Sequence, residues 1–302
     1  MSQLPTTEQS NSRTEGLDRL STVEMLARIN HEDALVAIAV QEALPQIARA
    51  VDAVATSLRA GGRLIYIGAG TSGRLGCLDA AECLPTFGVS PETVFGIIAG
   101  GEKALLRAVE GAEDDADAGC AAIDAVNVSA TDIVVGISAS GGAPYVRAAI
   151  RRACERGAAT VTVTNVSPAP LSEDGDIAIE VVTGPEVIAG STRLKAGTAQ
   201  KLVLNMLSTG AMVRIGKTYG NRMVDVQATN SKLVRRAVRL IREIGQVDSE
   251  ETAADLLEAA GGSVKRAIVM GRSGVDRPTA EARLQAAEGF LALALQSEES
   301  AG

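Results

Sequence analysis

Five short apolar or β-branched runs punctuate the first two thirds of the chain: RLIYI at 63–67, VFGII at 94–98, IVVGI at 133–137, TVTVT at 160–164 and IAIEVV at 177–182. Between most of them the apolar residues recur at helical spacing, including 73–83, 103–110 and 144–156. Strand-length apolar runs alternating with helices predict a parallel sheet covered on both faces, a doubly wound α/β fold of five strands. Ahead of the first strand, residues 17–60 read as helical, with Leu20, Met25, Leu26 and Ile29 on one stripe and Ile47, Val51, Val54 and Leu58 on another. A longer helix over 194–215 is apolar on more than one side (Leu202, Leu204, Met206, Leu207, Met212), which predicts burial. From about residue 231 the strands largely stop. Short amphipathic segments follow, separated by Gly245, Asp248-Ser249, Gly261-Gly262 and Gly274, and they predict a small helical bundle. AIVM at 267–270 is short enough to be strand or helix. The predicted organisation is a flexible N-terminus over 1–16, a sheet domain with N-terminal helices over 17–225, and a helical domain over 226–302. No solenoid period appears.

Two of the strands end in the same kind of loop. RLIYI runs into GAGTSGR at 68–74, and IVVGI runs into SASGGAPY at 138–145. A Gly/Ser/Thr-rich loop opening a helix offers free backbone N–H groups, hydroxyls and the positive end of a helix dipole, which suits phosphate. Two such loops in one sheet suit a ligand with a phosphate and many hydroxyls, a sugar phosphate. Thr71, Ser72, Ser138 and Ser140 are the hydroxyls expected around it. Gly70, Gly73 and Gly141 would let the backbone approach. Each serine could equally be a plain helix cap. Lys195, with Arg193 at the start of the long helix, could reach the same ligand; its bland alternative is an exposed basic residue. Arg74 sits where a helix N-terminus repels a cation unless an anion is near.

Composition narrows the options. A net charge of -8 and 2% aromatic residues make nucleic acid a poor partner. No apolar run approaches the ~20 residues of a membrane span, and the polar N-terminal stretch has no signal-peptide core. Cys77, Cys83, Cys120 and Cys154 lack metal-site spacing and read as thiols in a reducing cytoplasm. The single histidine, His31, lies beside Glu32 and Asp33 and reads as a surface residue, so acid–base chemistry falls mainly to carboxylates. Gly68, Gly70 and Gly73 also match the dinucleotide fingerprint G-x-G-x-x-G. That fingerprint expects an acidic residue ~20 positions on. Here the first acidic neighbour of the next strand's end is Glu102, well past that point, and the spacers Thr71 and Ser72 are hydroxyls.

Longer blocks carry a resemblance. RLIYIGAGTSGRLGCLDAAEC at 63–83, IIAGGEKALLRAVEGAEDD at 97–115, SASGGAPYV at 138–146 and GSTRLKAGTAQKLVLNMLSTG at 190–210 resemble the N-acetylmuramic acid 6-phosphate etherase family, within the sugar isomerase (SIS) group. STVEMLARINHED at 21–33 and GNRMVDVQATNSKL at 220–233 also fit, so the likeness runs from about residue 14 to near the end. Gly142-Ala143 stand where some relatives carry Arg-Thr, and Leu84 and Phe87 where Pro and Tyr are common. The resemblance implies a SIS-type phosphosugar fold and cleavage of a lactyl ether, with no redox cofactor and no metal. It implies Glu82 as the acid for the departing oxygen and Glu113 as the base at carbon 2. By itself, Glu113 sits in an acidic run that usually faces solvent. Glu82 is flanked by Ala80, Ala81 and Cys83, which predicts partial burial. A non-catalytic phosphosugar-binding regulator and an aldose–ketose isomerase are the rival readings. The apolar helix at 194–215 agrees with a homodimer.

Overall fold

A computed structural model of the chain describes residues 5–226 and 231–296. The block at 220–233 therefore lies partly outside the described residues. Two compact units divide the chain: Met1–Ala81 with Pro91–Gly210, and Glu82–Ser90 with Ala211–Gly302.

The first unit holds a five-stranded parallel sheet in the order β2-β1-β3-β4-β5. The strands are β1 (Leu64–Gly68), β2 (Val94–Ile98), β3 (Ile133–Ile137), β4 (Ala159–Thr164) and β5 (Ile177–Glu180). Each matches its predicted run to within one or two residues. Ile65, Ile67 and Val134 pack with Ile123 of α5 (Ala116–Ala125) and Val146 and Ile150 of α6 (Pro144–Glu155). Across the sheet, Gly76 of α3 (Gly70–Phe87) is so close that a Cβ there would lie 2.8 Å from the Cβ of Tyr66. Helices thus cover both faces. Full burial of Leu64, Ile65, Ile67, Ile133, Val134, Val135 and Ile137 contributes about 1.5–3 kcal/mol per side chain, which explains the uninterrupted apolar runs. Helix α5 went unpredicted because its ADAGCAAIDA is built of small residues with one large apolar side chain, Ile123, so no 3.6-residue stripe is visible.

The N-terminal helices are α1 (Thr22–Glu42) and α2 (Leu44–Arg59), and the long apolar helix is α7 (Lys195–Arg214). The N-terminus over 1–16 is expected to be flexible. Within its described part, Thr6–Glu8 and Ser12–Thr14 form 3-10 turns. The reason is polar anchoring that hydropathy does not register. Asn11 donates to Glu32 Oε2 at 2.9 Å and to the Pro185 carbonyl at 3.3 Å, and Thr14 Oγ1 donates to the Val187 carbonyl at 2.9 Å. Arg13 forks onto the Glu32 carboxylate, and the ammonium of Lys195 reaches the same group at 2.8 Å. Glu32 is 1% exposed and Lys195 fully buried.

Among its described residues the second unit carries a short hairpin, β6 (Thr218–Tyr219) and β7 (Arg222–Met223), and the helices α8 (Ser231–Gly245), α9 (Glu250–Ala259), α10 (Val264–Ser273), α11 (Arg277–Ala286) and α12 (Leu291–Gln296). Their inward stripes, including Ala237, Ile241, Ile268 and Leu291, make one core. AIVM at 267–270 is helical. Ser263 caps its N-terminus by accepting from the Arg266 N–H, and Gly274 ends it at φ 62°. Among the described residues no single helix is long and apolar enough to cross a membrane.

The Arg13 guanidinium foremost, then Lys195 and Asn11, hold the Glu32 carboxyl down to about 2 against the opposing effect of burial. A depressed carboxyl stabilises the fold above its unfolded value of 4.5, and that contribution is lost as pH falls through about 2. The denaturant stability of Glu32→Gln should therefore be lower than wild type at neutral pH, with the gap closing between pH 4.5 and 2. Lys195→Met should cost on the order of 3 kcal/mol, because it strips a partner from a buried charge.

Candidate active site

The sheet order reverses direction between β1 and β3, so their loops flank a crevice at the carboxyl ends of the strands. Gly68 is in register with Ile98 on one side and Ile137 on the other. Two residues later, Gly70 takes φ +53° and opens α3. Gly73 is where helix meets strand: a Cβ there would stand 2.6 Å from the Gly68 carbonyl oxygen and 2.7 Å from Ile98. That contact brings the N-terminus of α3 down over the end of β1.

The second loop is pinned by its own backbone. The Ser138 N–H donates to the Val163 carbonyl at 3.0 Å, and the Asn165 N–H to the Ala139 carbonyl at 2.9 Å. Gly141, at φ +68°, turns the loop, and its N–H donates to the Ser138 carbonyl at 3.2 Å. The Gly142 N–H donates to Ser140 Oγ at 3.2 Å, which leaves the Ser140 O–H hydrogen for a ligand. Pro144 then starts α6 at a position where its missing N–H costs nothing.

Between the loops lies a cavity of about 400 Å³. Gly70, Thr71 and Ser72 line it from the first loop, and Ser138, Ser140 and Gly142 from the second. Gly73 and Gly141 do not line it; they serve close packing and the turn. Among the described residues no Lys, Arg or His lines it. An anion bound here would meet N–H groups, hydroxyls and two helix dipoles. Among the described residues no group of three or more His, Cys, Asp or Glu is arranged to hold a metal ion.

Carboxylates complete the lining. Glu113 and Asp114 enter from the segment before α5. That segment is fixed at both ends: the Tyr145 N–H donates to the Glu113 carbonyl at 3.0 Å, and Asp115 caps α5 by accepting from the Ala118 N–H at 2.9 Å. Gly119 lets α5 and α6 touch, since a Cβ there would fall 2.2 Å from the Tyr145 carbonyl oxygen. The third carboxylate, Glu8, and the nearby Gly190 and Thr192 escaped sequence reasoning. Thr192 lies within a quoted block, but no local signal marked Glu8. A tie from the Gly190 N–H to the Thr7 carbonyl at 3.1 Å brings it there.

Comparison with known proteins bears on this geometry. The SIS domain model matches residues 116–210. The model of the glucokinase regulatory protein N-terminal SIS domain matches 46–154, and that of the C-terminal lid domain of glucokinase regulatory protein matches 220–268. The N-acetylmuramic acid 6-phosphate etherase of Serratia proteamaculans is 54% identical over 288 residues, covering 95% of this chain and 97% of that protein. N-acetylmuramic acid 6-phosphate etherase 1 of Bacillus licheniformis is 52% identical over 294 residues, covering 97% and 96%. The chain belongs to the N-acetylmuramic acid 6-phosphate etherase family. Among solved structures, a phosphoheptose isomerase from Francisella tularensis aligns with 64% of this chain and 98% of that one, at 19% identity and a TM-score of 0.49.

Two residues singled out in this etherase-family sequence stand apart from the cavity lining. Glu82 is exposed on α3, twelve residues beyond Gly70, which is about 18 Å along the helix axis. Its small neighbours Ala80 and Cys83 form the buried face and turn Glu82 outward, so the expected partial burial does not hold. Lys195 is fully buried and does not line the cavity. Its ammonium is spent on Glu32 and the Pro185 carbonyl, at 2.8 and 3.0 Å. Glu186, fully buried, caps α7 by accepting from the Lys195 and Ala196 N–H groups at 2.8 and 3.0 Å. Burial pushes the Glu186 carboxyl up, and those two donors oppose it. Arg74 lies beside the neighbouring cavity and is tied to the Leu105 and Arg107 carbonyls. His31 is exposed on α1.

The two loop glycines of this etherase-family chain should respond differently to alanine. Gly70→Ala enters open space at positive φ and should cost about 1 kcal/mol. Gly73→Ala collides with backbone and should cost more, about 1–3 kcal/mol, while displacing the start of α3. Denaturant titration of the two variants checks the order.

Proposed function

We propose that the chain is a carbon–oxygen lyase that cleaves the D-lactyl ether of N-acetylmuramic acid 6-phosphate. The products are N-acetylglucosamine 6-phosphate and D-lactate, and the setting is cytoplasmic recycling of cell-wall amino sugars. The observation that carries this reading is the single cavity that unites two helix N-terminal loops with the Glu113 carboxylate. Family membership supplies the substrate, and four free cysteines agree with a reducing compartment.

An ether oxygen is a poor leaving group, but the open-chain sugar carries an aldehyde at carbon 1. The aldehyde acidifies the proton at carbon 2, so loss of lactate from carbon 3 becomes a β-elimination. Water then adds to the unsaturated aldehyde at carbon 3. The phosphate is held by the Ser138–Gly142 loop, where the Ser140 O–H is free to donate. Glu113 takes the carbon 2 proton. Glu82 gives a proton to the departing lactyl oxygen and later handles the entering water.

Glu82 reaches the reaction from a second copy of the chain in this reading. It is exposed on its own chain, and α1 exposes Val23, Leu26 and Ile38 at 76%, 52% and 58%, an apolar surface that a homodimer would cover. Lactate release from N-acetylmuramic acid 6-phosphate is the direct test. Glu113→Gln and Glu82→Ala should each lower it by at least about a hundredfold. Ligand-dependent thermal stabilisation without lactate would instead favour the rival reading, a non-catalytic regulator.

Subunit mixing separates the two placements of Glu82. When inactive Glu82→Ala and Glu113→Ala proteins are dissociated and re-paired, each mixed dimer regains one intact site. Activity should then recover to about a quarter of wild type. No recovery would mean that Glu82 and Glu113 act within one chain.

A further inference from the structure

Behind the first loop runs a buried chain of hydrogen bonds whose direction is set at its far end. The Val181 backbone carbonyl can only accept, so the group it meets at 3.2 Å is the Asn165 amide nitrogen. The Asn165 amide oxygen therefore faces Gln200 and accepts from its Nε2 at 2.9 Å. That leaves the Gln200 amide oxygen facing Ser72, 2.9 Å away, where it accepts the Ser72 hydroxyl hydrogen. Asn165 is fully buried, Gln200 is 1% exposed and Ser72 7%. Reversing any one of these bonds leaves two acceptors or two donors face to face.

Ser72 nevertheless lines the cavity. With its only hydrogen committed to Gln200, it presents lone pairs alone. This is the reverse of Ser140, whose oxygen accepts from the Gly142 N–H and whose hydrogen is left over. Ser72 and Ser140, on opposite loops of one cavity, are thus of opposite polarity. A phosphate dianion has only acceptor oxygens and gains nothing from the Ser72 side chain, although the backbone at the start of α3 remains available to it.

We infer that Ser72 is a locked hydrogen-bond acceptor, held by Gln200 and Asn165, that reads an O–H or N–H donor on the sugar rather than its phosphate. Gln200 and Asn165 are positioning residues in this scheme. The inference rests on the sugar-phosphate reading of the cavity and deepens it. It gives the site a polarity, anion toward the second loop and sugar donors toward the first.

The test compares two ligands at pH 8: methyl phosphate, a dianion without a donor, and N-acetylglucosamine 6-phosphate, which has both. Calorimetric titration of Ser72→Ala should show methyl phosphate bound as by wild type. The sugar phosphate should bind about five- to tenfold more weakly, the worth of one net hydrogen bond. Gln200→Met releases the Ser72 hydrogen into the cavity. It should weaken the sugar phosphate while leaving methyl phosphate equal or tighter, a split that mere loosening of the fold would not produce. If Ser72→Ala is unstable, the double variant Ser72→Ala/Gln200→Met, which leaves no orphaned amide oxygen, should reproduce its pattern. A parallel loss of both ligands in Ser72→Ala and in the double variant would overturn the inference and make Ser72 a phosphate donor. Wild-type protein that binds neither ligand would overturn the sugar-phosphate reading itself.

Discussion

Parallel pairing of β1 with β3, with Gly68 beside Ile137, is the constraint from which the site follows. Both strands stop at the same level, and the chain leaves them in opposite directions around the sheet. Two loops are therefore forced to open side by side, each onto a helix N-terminus. The pairing is held by side chains buried on both faces, so a shift of register would forfeit the fit of Gly73 and Gly76 against the sheet. Those glycines let α3 approach closely enough for its first turn to face the second loop. The cavity between the loops results from backbone geometry more than from any one side chain.

The placing of the carboxylates that line the cavity depends on a second layer of contacts. Glu113 is on an exposed acidic stretch, yet its backbone is clamped by the Tyr145 N–H and by the Asp115 cap on α5. On the other side, the Glu32–Lys195 pair and the Glu186 cap anchor the start of α7. That helix in turn supplies Gln200, behind Ser72. Further along, Asn205 and Ser208 donate to the buried Asp79 of α3 at 2.6 and 3.1 Å, as does Tyr66 from β1 at 2.8 Å. Burial raises the Asp79 carboxyl, and the three donors oppose that effect. Polar groups that are buried or half-buried, each with partners, thus join β1, α3 and α7.

The sheet was legible because continuous burial leaves continuous apolar runs, and the paired loops were legible because glycine and serine punctuate them. Apart from α5, whose small residues leave no apolar stripe, what escaped reading depended on polar contacts between distant residues. The turns at 6–14 are fixed by Glu32, Pro185 and Val187, none of them near in sequence. Lys195 reads in the sequence as a cation that could reach the ligand, because its partner Glu32 lies on another helix. Glu8 gave no local sign of joining the cavity. Ser72 was legible as a hydroxyl in the right loop, but its polarity is set by Val181, which is far along the chain. Glu82 and Glu113 were chosen through family blocks, since spacing alone would not have separated Glu113 from Asp114.

The central claim is that the bond broken joins oxygen to the sugar, through elimination and then hydration. Its most direct test is turnover of N-acetylmuramic acid 6-phosphate in water enriched in heavy oxygen, with mass spectrometry of both products. The account predicts unlabelled lactate and one heavy oxygen at carbon 3 of N-acetylglucosamine 6-phosphate. Heavy oxygen in the lactate, with none in the sugar, would contradict it.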